Sequence, residues 1–177
     1  MSNPQIERLR ATLLRRGMLT SRPPPPLADP TWNPEQVELA RRVRPFAEAM
    51  YLVIAADAEI GTRERDVLRG ALRTLTDNQL STAALETMLQ EFESARAEEG
   101  TEARLDAVAS ALYLDPTDAE LAVKLAIAGA EVDGRLDARE QAVVRALAER
   151  LGFSERQLGE LLEGEPYRAS ADYSRSE

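Results

Sequence analysis

Two acidic segments of this chain contain residue types whose spacing could support metal chemistry. The first runs from Asp57 to Glu64, and the second runs from Asp133 to Glu140, 76 residues further on. Each segment reads Asp, two residues, an aliphatic residue, three residues and Glu. Carboxylate oxygens are the ligands that hard cations such as Ca²⁺, Mg²⁺ and Mn²⁺ prefer in proteins. If the fold brings the two segments together, these four carboxylates could hold one such cation.

Ordinary helix capping is the alternative role for the same carboxylates. A carboxylate is favoured in the first turn of a helix, and Asp137 with Glu140 has the spacing of a capping box. Arg63 and Arg139 each precede the glutamate of their segment and could pair with it. Neither segment is an EF-hand loop, because its Asp and Glu are seven residues apart rather than eleven. Both roles stay open.

The composition excludes several other kinds of site. The 177 residues include no cysteine and no histidine, which rules out disulfides, zinc fingers, thiolate catalysis and imidazole-based triads. The only lysine, Lys124, has no phosphate-binding motif around it. A formal charge of −9 argues against a nucleic-acid partner. We therefore expect a protein that is not an enzyme and that binds neither an organic cofactor nor nucleic acid.

Residues 35–164 have the pattern of one all-α domain, a compact bundle of about seven or eight helices. Apolar residues recur at helical spacing, and no window alternates apolar and polar residues long enough for a sheet. Residues 46–57 are almost all apolar, which predicts a central buried helix with Pro45 at its start or at a kink. The residues predicted to cap or open the later helices are Thr62, Ser81, Thr101, Asp115, Asp137 and Ser154.

An internal repeat relates the two halves of the bundle. Residues 49–73 align with residues 125–149, and five of the 25 positions are identical. Both copies contain a buried helix, an acidic loop and an amphipathic helix, so the sequence predicts a pseudo-symmetric bundle. Ile60 and Leu136 fill the aliphatic position of the two loops, where we expect them to pack beneath the loop and fix the turn.

Residues 1–19 predict a short basic amphipathic helix, with Ile6, Leu9 and Leu13 along one stripe. Residues 1–22 carry a formal charge of +4, so the remainder of the chain carries −13. The helix could dock on its own acidic body, bind a protein partner, or lie on a membrane surface. The candidate partner-binding residues are Leu9, Arg10, Leu13, Arg16 and Trp32.

Two further segments flank the predicted helical domain. Residues 20–34 form a proline-rich linker that should be extended and stiff, with Trp32 near its end as an anchor. Residues 165–177 read as a polar, disordered tail. The sequence has no apolar run typical of a signal peptide or a bilayer span, so we expect a cytoplasmic protein.

The two halves of the repeat resemble a known family. Residues 46–73 and 125–162 look like the two halves of a tellurite-resistance TerB-like domain, and the most specific stretch is VDGRLDAREQAVVRALAERLGFS. The resemblance implies an all-helical, pseudo-symmetric fold and an acidic surface site for a divalent metal. It also implies a role as an interaction module in stress-response and membrane-associated systems. By position, the acidic motif of the family falls on Asp57, Glu64, Asp133 and Glu140.

Two functional hypotheses follow from the sequence. The first is a non-enzymatic TerB-like module with an acidic face that binds a divalent metal and a protein partner. The second is a metal-free adaptor whose basic N-terminal helix and proline-rich linker recruit the partner. A homodimer, and peripheral membrane association through a partner, are compatible with either hypothesis. A carboxylate-metal hydrolase is the weakest alternative, because no histidine, cysteine or motif-flanked lysine could act as nucleophile or tuned base.

Overall fold

The computed structural model describes residues 4–15, 33–57, 60–131 and 136–163. Within these ranges it has eight α-helices, one short 3₁₀ turn and no strand, which confirms the predicted all-α bundle. The elements are α1 (Pro4–Arg15), α2 (Pro34–Ile54), the 3₁₀ turn (Ala55–Asp57), α3 (Thr62–Leu75), α4 (Thr82–Glu99), α5 (Thr101–Leu112), α6 (Pro116–Ala130), α7 (Ala138–Arg150) and α8 (Glu155–Leu162).

Helices α2 and α6 form the centre of the bundle and make its most extensive helix–helix contact. Every residue from Phe46 to Ala55 is buried, and α6 is buried along most of its length. A helix that is apolar on nearly all sides needs neighbours on all sides, and the remaining helices pack around this pair. Each half of the predicted repeat therefore supplies one central helix.

Pro45 lies inside α2, so of its two predicted places the start of a new helix is wrong. A proline in a helix interior costs about 3 kcal/mol, because it lacks an N–H and its ring crowds the preceding turn. A fully buried large apolar side chain contributes roughly 1.5–3 kcal/mol, and the part of α2 after Pro45 buries several, among them Phe46, Met50 and Leu52. Burial therefore outweighs the local cost, and one helix runs from Pro34 to Ile54.

Four of the later helices have a polar N-cap residue at the position that the sequence predicts. The capping side chains, which accept hydrogen bonds from amides of the first turn, are Ser81, Asp115, Asp137 and Ser154. Helix α5 begins at Thr101 as predicted, with Gly100 as its N-cap, whereas the predicted cap Thr62 is wrong by one residue because Gly61 holds that N-cap position. Gly100 has a φ of +86°, a conformation that favours glycine at the turn between α4 and α5.

A buried ion pair joins α2 to α5. Glu48 is 3% exposed, and its Oε1 lies 2.7 Å from both Nε and Nη2 of Arg104. The same guanidinium also contacts Glu99 at 3.1 Å. Two charges removed from water must be closely paired to offset their desolvation, so this contact fixes where α5 lies along α2.

Gly129 marks a close approach of α6 to α2. A methyl group added at Gly129 would lie 3.0 Å from Cε of Met50 and 3.6 Å from Cδ1 of Ile54. We expect Gly129→Leu to lower the free energy of unfolding by about 1–3 kcal/mol through overpacking. Gly70→Ala in α3 is the matched control, since no atom lies within 4 Å of the added methyl. Alanine is the better helix former, so Gly70→Ala should stabilise the protein by about 0.5–1 kcal/mol.

Urea denaturation of the two glycine variants and of wild type measures both changes. A Gly129→Leu protein as stable as wild type would contradict the close approach of the two central helices.

Removing one partner of the buried ion pair should be far more harmful than removing both. We expect Arg104→Met to destabilise the fold by about 3–5 kcal/mol, because it leaves the Glu48 carboxylate buried without a counter-charge. The double variant Glu48→Met/Arg104→Met should recover most of that loss, since no charge stays buried. Denaturant unfolding of the three proteins checks this, and equal stability of the single and double variants would contradict it.

Candidate functional site

The first acidic loop follows α2 directly. Asp57 ends the 3₁₀ turn, and its side chain is half exposed. Glu64 lies in the first turn of α3, where its Oε2 accepts a hydrogen bond from the amide of Gly61 at 2.6 Å. Ile60 is partly buried against the core, which agrees with its predicted place beneath the loop. The carboxylate of Glu64 therefore closes the start of α3.

The second acidic loop has the capping box that its spacing predicts. Oδ1 of Asp137 accepts hydrogen bonds from the amides of Arg139 at 2.7 Å and Glu140 at 2.8 Å. In return, Oε2 of Glu140 accepts from the amide of Asp137 at 2.8 Å. Leu136 is buried beneath this turn, as expected. Asp133, the fourth predicted ligand, lies outside the described residues.

The two acidic loops meet, although they are far apart in sequence. Nη1 of Arg139, at the start of α7, donates to Oδ1 of Asp57 at 2.6 Å, and α7 packs against the 3₁₀ turn. Arg139 thus pairs across the loops with Asp57, whereas the sequence suggested the adjacent Glu140. The Asp57 carboxylate is the main cause of the raised pKa of Arg139. Both side chains are well exposed, so solvent screens the pair and it adds little to stability.

The carboxylates of both loops act on Glu140. Burial raises the pKa of Glu140, and the negative charges of Asp137, Asp57 and Glu64 raise it further. The hydrogen bond from the amide of Asp137 acts in the opposite direction and lowers that pKa. Charges from both halves of the repeat therefore act on one carboxyl group.

The candidate ligands have carboxylate oxygens, which hard cations prefer. The described residues alone do not form a complete site. All candidate ligands are carboxylates, which suit Ca²⁺, Mg²⁺ or Mn²⁺. Among the residues that the structure describes, no three Asp or Glu side chains converge closely enough to hold a metal ion. Asp57, Glu64 and Glu140 by themselves are therefore not a metal site, and metal binding that includes Asp133 stays a prediction from the sequence.

The predicted partner-binding residues are divided between the docked helix and undescribed segments. Leu9 is partly buried against the core, and Nη2 of Arg10 lies 2.7 Å from Oδ1 of Asp77. Leu13 belongs to α1, but its side chain is not among those described. Arg16 and Trp32 fall outside the described ranges. The structure thus shows α1 docked on its own body. Partner binding by these residues stays a prediction.

Comparison with known families identifies the domain. A family model described as tellurite resistance protein TerB matches residues 46–162. This chain belongs to the TerB family. The match covers about two thirds of the chain and includes both acidic loops. Neither the curated proteins nor the solved structures contain a significant match to the chain.

The bounds of the TerB match separate the candidate site from the N-terminal helix. The match begins within α2 and ends with the last residue of α8, so α1 lies outside it. The acidic loops are therefore part of the TerB domain itself, whereas α1 is an addition to it.

None of the helices in the described part of the chain is long and apolar enough to cross a membrane.

Neutralising Glu140 should stabilise the domain in a pH-dependent way. A raised folded-state pKa means that the contribution of Glu140 to stability falls as the pH rises from its unfolded pKa, about 4.3, through the raised value. Glutamine has no charge, yet its oxygen can still accept from the amide of Asp137. We expect Glu140→Gln to match wild type near pH 4 and to exceed it by less than about 1 kcal/mol at pH 7.

Thermal melts of wild type and Glu140→Gln from pH 4 to pH 8 measure this difference. Glu35→Gln removes a carboxylate from the first turn of α2, away from the loops, and controls for the loss of a first-turn charge. A difference that does not vary with pH would show that the neighbouring charges do not act on Glu140.

Proposed function

We propose that this TerB domain is a non-enzymatic module that binds a divalent cation between its two acidic loops. We further propose that it uses this face to contact a protein partner in a stress-response or membrane-associated system. The observation that carries the proposal is the contact between Arg139 and Asp57, because it brings the carboxylates of both loops into one region.

Electrostatics explains why a cation would be favoured at this place. The raised pKa of Glu140 reflects repulsion from Asp137, Asp57 and Glu64 in addition to burial. A divalent cation would relieve this repulsion and would also link the two loops. Asp137 already accepts two amide hydrogen bonds, so it is a weaker candidate ligand than the others. The residues proposed to hold the ion are Asp57, Glu64, Asp133 and Glu140.

In this proposal, Arg139 competes with the cation for the carboxylate of Asp57. Its guanidinium supplies one positive charge to the loops and occupies Oδ1 of Asp57. A cation that uses the same oxygen must displace Arg139 or share Asp57 with it. Arg139 therefore acts as an internal counter-ion, and its removal should strengthen cation binding.

The non-enzymatic part of the proposal is supported by the residue types present. The chain has no histidine or cysteine, and the only lysine, Lys124, pairs with Glu120 on the same helix. An interaction role is what the resemblance to TerB-like domains implies. The alternative of a metal-free adaptor needs the N-terminal helix to recruit a partner, and in the structure α1 packs on α3 and α6 instead. The cytoplasmic location stays a prediction from the sequence.

A thermal-melt titration with Ca²⁺, Mg²⁺ and Mn²⁺, starting from protein treated with a chelator, tests the cation site. We expect one of these ions to raise the apparent stability, by about 2.7 kcal/mol at a hundredfold excess over its dissociation constant. The double variant Asp57→Asn/Asp133→Asn should lose the shift. Arg139→Gln should show it at lower ion concentration, because Asp57 is freed and a positive charge is removed.

Asp66→Asn, at an exposed carboxylate on α3 outside the loops, is the matched control and should titrate as wild type does. If neither wild type nor Arg139→Gln shows a saturable shift at millimolar ion, the loops are capping structures and the cation proposal is wrong.

A further inference from the structure

Helix α1 occupies a defined position on the TerB body, which we call the arm seat: the surfaces of α3 and α6 that contact α1, together with Asp77. Ile6 is 1% exposed, so its side chain is fully enclosed in the docked helix. Leu9 and Leu14 are partly buried against the same core. A fully enclosed aliphatic side chain at the start of an amphipathic helix is typical of helix-in-groove recognition.

An ion pair supplies the polar part of the recognition. Nη2 of Arg10 lies 2.7 Å from Oδ1 of Asp77, and the two side chains are only 23% and 36% exposed. Glu7, one turn earlier in α1, also lies 3.6 Å from Arg10. Reversing either charge of the pair with Asp77 would place two like charges at a partly buried contact, which disfavours docking.

The position of Asp77 is set by the body and not by the arm. Asp77 and Asn78 have φ values of +54° and +56°, in the left-handed region that Asp and Asn tolerate best after glycine. The amide of Asn78 donates to the carbonyl of Arg73 at 2.8 Å, and the amide of Asp77 donates to that of Thr74 at 3.3 Å. These bonds close the end of α3 without any atom of α1, so the turn can present its carboxylate to any suitable helix.

The connection between arm and body is long enough to reach a second molecule. Residues 16–33 separate α1 from α2, and such a segment spans at most about 60 Å when fully extended. A compact body of this size has a radius of gyration of about 14 Å, and hence a diameter of roughly 36 Å. The tether therefore permits α1 to reach either its own seat or the seat of a neighbouring copy.

The charge distribution also favours α1 of a second copy as the occupant of the arm seat. Residues 1–22 carry +4 and the remainder of the chain carries −13, so every arm is attracted to every body. The seat lies on the TerB part of the chain, whereas α1 lies outside the TerB match. The arm is thus a separate element that contacts the domain from outside it.

We propose that the arm seat accepts α1 from a second copy of this chain, so that closed monomers exchange arms and form a reciprocal dimer. The dimer contains the same contacts between arm and seat as two closed monomers. Because the arm is covalently attached to its own body, docking at its own seat is intramolecular, so the closed monomer prevails in dilute solution. Arm exchange gains importance where copies are concentrated together.

A charge-swap experiment on the full-length chain tests the proposal. One variant has Arg10→Asp and the other has Asp77→Arg, and each alone faces like charges at its own seat. In an equal mixture, the arm of each variant meets an opposite charge on the seat of the other. We expect each variant alone to remain at about 19.5 kDa at 100 µM, and the mixture to reach about twice that mass by light scattering. The buffer contains a chelator, so the result is independent of the cation site.

The double variant Arg10→Asp/Asp77→Arg is the matched control, because it restores opposite charges within one chain and should stay monomeric. Hydrogen exchange of the α1 amides shows whether the arm has left its seat in each single variant. The proposal is overturned if the arms are released and the mixture stays monomeric, since the seat then rejects a second copy. It is also overturned if the arms stay docked in both single variants, since the ion pair then does not control the seat.

Discussion

The packing of α2 against α6 is the contact on which the rest of the structure depends. Gly129 of α6 lies beside Met50 and Ile54, so the C-terminal parts of the two central helices are neighbours. The acidic loops begin within a few residues of this contact, at the ends of the same helices. The loops therefore meet because the core helices meet, and the contact between Arg139 and Asp57 is a consequence of apolar packing.

The fold could be predicted from the sequence because its local and global signals agree. Apolar periodicity defines the helices, and caps such as Ser81 and Asp137 begin them where expected. The errors arose where another effect outweighed a local preference. Burial of the second half of α2 outweighs the helix-breaking tendency of Pro45, and Gly61 takes the cap position predicted for Thr62.

The candidate site was less predictable than the fold. The spacing of Asp137 and Glu140 is sufficient to predict their capping box, because that interaction is local. The pairing of Arg139 with Asp57 depends on how α7 lies against the 3₁₀ turn, which no local pattern specifies. The adjacent Glu140 was therefore the natural but wrong partner to expect for this arginine. Only the internal repeat in the sequence indicated that the two loops could lie on one surface.

The buried pair of Glu48 and Arg104 has a consequence for how the domain opens. Helix α5 cannot leave α2 without separating the buried carboxylate of Glu48 from the partly buried guanidinium of Arg104. Partial detachment of α5 would leave each charge incompletely solvated and without its partner, so intermediate positions are disfavoured. Helices α2, α5 and α6 should consequently open as one cooperative unit. The terminal helices α1 and α8 have fewer contacts with that unit, so they can fray and reclose while it stays intact.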